Sequence, residues 1–178
     1  MAERERRSVA LEVRSKGRRL EGYAALFDVE ARIGPIREKI APGAFAASLA
    51  SGADILALAD HDPARVLART RSGSLRLSED SRGLAFDLAI PETQAGRDIL
   101  ALAERSDLGG MSFGFQVPAG GEEWVGELRT IRAAELFEIS VVSAWPAYEG
   151  TTITARSRQI ALPPRLALAS RYLEILGA

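Results

Sequence analysis

The chain has 178 residues, 47% of them apolar and 26% charged, with a formal charge of -1 and a pI near 6.0. That is the composition of one globular domain able to bury a core, with no global attraction to nucleic acid or anionic lipid. Zero cysteines exclude disulfides, thiol catalysis and cysteine-ligated zinc.

The opening residues, Met1 to Arg7, run into Ser8-Val9-Ala10-Leu11 without an apolar h-region, so no signal peptide is expected. No apolar run reaches the roughly 20 residues a membrane helix needs. Period-2 alternation then dominates, with short strands expected near 8–14, 19–27, 54–60, 65–70, 73–78, 84–90, 109–117, 123–133 and 135–143. Their number and spacing predict a mainly β fold, a closed or nearly closed antiparallel barrel, with two or three short peripheral helices. One helix is expected near 43–50, between Pro42 and Gly52. A second is expected near 92–105, with Ile99, Leu100 and Ala103 on one face. After Pro163-Pro164 a short amphipathic helix restarts at Arg165, with Leu166, Leu173 and Leu176 at helical spacing. The expected division is therefore a barrel domain over 1–157 and a tail over 158–178. The tail either packs on the barrel or serves as a targeting or removable segment.

His61 is the only histidine, and histidine is the side chain whose ordinary pKa, roughly 6.5, suits proton transfer at neutral pH. It sits in Asp60-His61-Asp62-Pro63. These three side chains are poorly suited to share a metal, because neighbours on an extended segment point in alternate directions. In Gly109-Gly110-Met111-Ser112-Phe113-Gly114-Phe115, alternation turns Met111, Phe113 and Phe115 to the core and Ser112 the other way, with Gly114 beside it. Three glycines in a strand weaken it, so close approach of another group, such as a substrate carbonyl, would account for them. In Leu136-Phe137-Glu138-Ile139-Ser140-Val141-Val142, Glu138 falls on the face opposite Phe137, Ile139 and Val141. In a central strand that carboxylate needs a partner, which a histidine N–H supplies; in an edge strand water suffices. Ser112, His61 and Glu138 thus offer a nucleophile, a base and an orienting acid for acyl transfer.

These residues, together with Gly22-Tyr23-Ala24-Ala25-Leu26-Phe27, Val66-Leu67-Ala68-Arg69-Thr70 and Pro146-Ala147-Tyr148, make the stretch from about 20 to 156 resemble the tailed-phage prohead proteases. Those capsid-maturation serine proteases have a barrel similar to the herpesvirus assemblin fold. The resemblance implies His61 as general base and Ser112 as nucleophile. Its third member is a second histidine in the herpesvirus relatives, which is impossible here, and Glu138 stands at the family's acidic position in preference to Asp62. Asp60 replaces an expected amide and Ala68 a frequent glycine. Backbone amides near Gly109, Gly110 and Gly114, or Arg129 and Arg132 acting through a water, are the candidate oxyanion and substrate-binding groups.

The implied function is a serine endopeptidase that trims the scaffolding portion of a major capsid protein, and itself, inside an assembling procapsid in the bacterial cytoplasm. The implied partners are the capsid protein and a homo-oligomer, not nucleic acid or membrane, and no metal or organic cofactor is implied. The rival expectation is a catalytically silent assembly protein with the same barrel.

Overall fold

A computed structural model describes residues 4–9 and 14–143. The expected tail helix, the boundary at 157/158 and the Pro146-Ala147-Tyr148 motif lie outside the described residues.

In chain order the strands are β1 (Glu5–Val9), β2 (Arg14–Lys16), β3 (Arg19–Leu26), β4 (Ala31–Ile33), β5 (Ile36–Ile40), β6 (Leu56–Ala59) and β7 (Asp62–Arg69), followed by β8 (Leu75–Glu79), β9 (Gly83–Ala89), β10 (Gly110–Gln116), β11 (Glu122–Val125), β12 (Leu128–Ile131) and β13 (Glu135–Val142). Helix α1 (Ala46–Ala50) follows β5, and helix α2 (Gln94–Glu104) follows β9. Thr93 caps α2 by accepting from the Gly96 amide at 3.2 Å, and Ile99 is buried beneath it with Leu100 and Ala103 packed alongside, the face that the helical spacing predicts.

Two segments depart from the expected pattern. The single strand expected over 123–133 is a hairpin of β11 and β12, because Gly126 takes a left-handed φ of 60° and turns the chain. Strands β4 and β5 have no counterpart in the apolar alternation. In β5 the buried positions are Glu38 and Ile40, so one of the two residues that mark the interior is charged.

The strands form three sheets, in the orders β1-β10-β13-β6-β7, β11-β12-β5-β4 and β2-β3-β9-β8. No closed barrel is found among the described residues, so the mainly β character is as expected and the barrel itself stays an expectation. Nor is the arrangement wholly antiparallel: β13 runs parallel to β6, and β12 parallel to β5. Alternation reports which face of a strand is buried but not the direction or identity of its neighbour, so neither feature was available to it. Aromatic packing links the five-stranded sheet to the core, with Phe113 edge-on to Phe45 at 5.8 Å and stacked on Phe115 at 5.2 Å.

Beside Phe115, on the same face of β1 as its partners, a buried ion cluster joins two sheets. Glu38 accepts from Arg7 Nη2 and from Arg129 Nη1, each at 2.8 Å, and Arg129 also binds Glu5 and Glu122. Burial alone would lower the Arg129 pKa, but the carboxylates of Glu5 and Glu38 more than reverse this and raise it. Burial likewise pushes Glu5 up, and Arg129 and Arg7 bring it below its ordinary value. The Glu5 contribution is therefore present above the unfolded carboxylate pKa and is lost as pH falls through the folded one. Removing the shared acceptor takes a buried carboxylate from two buried guanidinium groups and leaves Arg7 Nε without its partner, although Glu5 stays bound to both. Glu38→Ala is expected to lower the unfolding free energy by about 3–5 kcal/mol, measured by urea denaturation.

Candidate active site

The site begins at the centre of the five-stranded sheet. Across the β10–β13 ladder, Ser112 pairs with Ser140 and Gly114 with Glu138. Directly opposed residues point to the same side, so all four share one face, opposite the one carrying Met111, Phe113 and Phe115. Strand β13 is flanked by β10 and β6, so Glu138 stands in a central strand and its burial calls for partners.

His61 is the main one. Strands β6 and β7 meet in a two-residue turn closed by the Ala59–Asp62 pair, with Asp60 at φ 53° and His61 at φ 60°. Left-handed conformation at both central residues is the requirement of a type I′ hairpin turn, which Asn-Gly fills most easily. Two non-glycine residues there cost roughly 1–3 kcal/mol each, a strain that persists only where the surroundings enforce it. Asp60 supplies that enforcement. Its Oδ1 accepts from the Ser143 amide at 2.7 Å, and its Oδ2 accepts from Ser143 Oγ at 2.9 Å and Arg65 Nη1 at 2.7 Å. The turn is thereby bound to the end of β13, and the imidazole reaches back along that strand until Nδ1 lies 2.8 Å from Glu138 Oε1. An ionised carboxylate only accepts, so the proton is assigned to Nδ1 and the lone pair to Nε2.

Glu138 has two further donors. Ser140 Oγ donates to Oε2 at 2.9 Å, and Arg6 Nε lies 3.2 Å from Oε1. Burial pushes the Glu138 pKa up, but hydrogen bonds from His61 and Ser140, with the charges of His61 and Arg6, bring it below the ordinary carboxylate value. Gly114 explains how the carboxylate fits. A Cβ at that position would lie 2.7 Å from Glu138 Cγ and 2.8 Å from Oε1. The group that approaches this glycine is thus the Glu138 side chain, in place of the substrate carbonyl that the strand glycines suggest.

Ser112 is 0% exposed, and its Oγ donates to the Arg7 carbonyl of β1 at 2.8 Å. Among the described residues no hydrogen bond joins it to His61. The Gly109 amide donates to Val142 O at 2.8 Å, and Gly110, which pairs with Val142, adopts a φ of 148° that favours glycine. The two arginines expected as oxyanion donors are engaged elsewhere. Arg129 belongs to the Glu5–Glu38 cluster, on the face of β1 opposite Ser8 and Ser112. Exposed Arg132 binds Glu123 through Nε at 2.6 Å. Asp62 accepts from the Ala64 amide at 2.8 Å and so closes a local turn. Sequence reasoning passed over Ser140, Ser143 and Arg6. For Ser140 the signal was present, since it lies two residues beyond Glu138 and therefore on the same face.

A serine on a central strand, on the sheet face that also carries a carboxylate paired with a histidine, in a chain without cysteine, offers the side-chain types of a serine hydrolase. A family model described as caudovirus prohead serine protease matches residues 5–164, and the chain belongs to that family of capsid-maturation proteases. No curated protein and no solved structure matches it.

A Cβ at Gly114 would force Glu138 to shift, so crowding should be felt in the placement of its carboxylate and in stability. A misplacement of about 1 Å in a catalytic constellation costs on the order of 100-fold. Gly114→Ala is expected to lower the rate of proteolysis by about that factor, read with the melting temperature of the same variant.

Proposed function

We propose that this chain is a serine endopeptidase that cleaves the scaffolding portion of a major capsid protein, and itself, during procapsid maturation. The place of action is the interior of the assembling procapsid in the host cytoplasm. The observation that carries the reading is the 2.8 Å contact of His61 Nδ1 with Glu138 Oε1 on the sheet face that also bears Ser112.

In the proposed cycle the Ser112 hydroxyl turns from the Arg7 carbonyl to His61 Nε2. Its oxygen bonds to the scissile carbonyl carbon as its proton passes to Nε2. Glu138 keeps the Nδ1 proton in place and offsets the imidazolium charge. The tetrahedral intermediate collapses with C–N cleavage, and Nε2–H protonates the departing amine. Water, deprotonated by the same Nε2, then releases the acyl group and restores the Ser112 hydroxyl.

The alternative, a silent assembly protein of the same fold, draws on one observation: Ser112 is buried and donates to Arg7 instead of His61. Coexpression with the capsid protein encoded nearby, followed by intact-mass analysis, separates the two. A shortened capsid protein with the wild-type chain, and a full-length one with Ser112→Ala, is the expected result. An uncleaved capsid protein together with no labelling by a fluorophosphonate would favour the silent protein.

A further inference from the structure

We propose that Ser140 is a positioning residue that determines which oxygen of Glu138 faces the histidine. The inference rests on the serine-protease reading of this site and adds a fourth side chain to it.

A glutamate carboxylate rotates about a terminal bond with a broad, roughly two-fold preference, so burial alone does not choose its plane. Here one oxygen is taken by each neighbour: Oε2 by Ser140 Oγ at 2.9 Å and Oε1 by His61 Nδ1 at 2.8 Å. The direction of the first bond is unambiguous, since an ionised carboxylate cannot donate. Ser140 is 0% exposed and directly opposes Ser112 across the ladder. Its single hydroxyl proton is on Glu138, so Ser140 does not compete with Ser112 for the histidine and is not a second nucleophile.

The other donor, Arg6, is less suited to this task. Its side chain is 53% exposed, it comes from edge strand β1, and it shares Oε1 with His61 at 3.2 Å. Ser140 is shielded from water, is held by the same strand as Glu138 and binds the oxygen that His61 does not. Gly114 leaves space on the other flank of the side chain. Turn, glycine and hydroxyl together hold the carboxylate toward Nδ1.

His61 is the only histidine, so the NMR signal of its Nδ1 proton requires no residue assignment and reports on Glu138 without any substrate. In the full chain, Ser140→Ala is expected to fold, to lose the low-field Nδ1 proton to solvent exchange, and to turn over capsid protein about tenfold more slowly, the scale of one hydrogen bond to a charged group. KM should not change. Ser140→Thr, which restores a hydroxyl, should recover both the resonance and the rate. A wild-type Nδ1 signal in Ser140→Ala would overturn the proposal, whatever the rate, as would a failure of Ser140→Thr to recover the signal in a folded protein. If Ser140→Ala does not fold, Ser140→Cys, close in volume and a weak donor, takes its place, with the same loss expected and the same retention overturning. Full proteolysis by Ser112→Ala would instead remove the Ser112–His61 mechanism on which the serine-protease reading rests and leave the Nδ1 result standing, so the two failures are distinguishable.

Discussion

Ser112→Ala and His61→Ala are each expected to reduce capsid-protein cleavage by about 10^4- to 10^6-fold, the range seen when a triad member of a serine protease is removed. The two losses should not add. Without its base the hydroxyl is a poor nucleophile, and without the hydroxyl the base has no proton to take, so the double variant should be no slower than the worse single one. Both effects should be on turnover, because neither side chain is proposed to bind remote parts of the substrate. Stability is a necessary control. The Ser112 hydroxyl donates to Arg7 O inside the sheet, and its removal is expected to cost about 1 kcal/mol, too little to unfold a domain of this size. Circular dichroism and a urea titration alongside the cleavage assay check this. Cleavage by Ser112→Ala at the wild-type rate would eliminate the mechanism.

Glu138→Gln is the second large effect, expected to reduce turnover by up to about 10^4-fold because a neutral amide no longer enforces the Nδ1 tautomer or offsets an imidazolium. Asp62→Asn, by contrast, should change the rate by no more than about twofold, as for a half-buried residue outside the hydrogen bonds of His61. Its carboxylate accepts from the Ala64 amide, and among the described residues it has no hydrogen bond with the imidazole. Steady-state kinetics of the two variants side by side decide between the acids. Stability against pH gives an independent reading. The folded pKa of Glu138 is below its ordinary value of 4.5, so its contribution is fully present above the unfolded pKa and is lost as pH falls through the folded one. In Glu138→Gln that component of the acid-induced loss should be missing.

Much of this site was legible in the sequence because strands have a simple period. Alternation alone separates Ser112 and Gly114 from Met111, Phe113 and Phe115, and Glu138 and Ser140 from Ile139 and Val141. One histidine and no cysteine narrow the arrangements further, and the resemblance to the prohead proteases is what joins the three residues. The Ile99 face of α2 was readable for the same local reason. What was not readable involves neighbours distant in the chain. Arg129 looked available as an anion donor until Glu5, Glu38 and Glu122 surrounded it. The two strands β4 and β5 escaped notice because a buried position of β5 is the charged Glu38, whose partners are Arg7 of another sheet and Arg129 of the neighbouring strand β12.

His61 shows the division most clearly. Composition and alternation identified the sole histidine as the only candidate base of its kind, and turned Glu138 and Ser112 away from the core face of their strands. That His61 finds Glu138, and not the aspartates on either side of it, was decided by the parallel pairing of β13 with β6 and by a left-handed turn bound to Ser143. The physical reason is range. Side-chain direction follows from adjacent backbone geometry and is written locally, whereas the pairing of strands about 80 residues apart depends on which buried faces the whole chain can match at once.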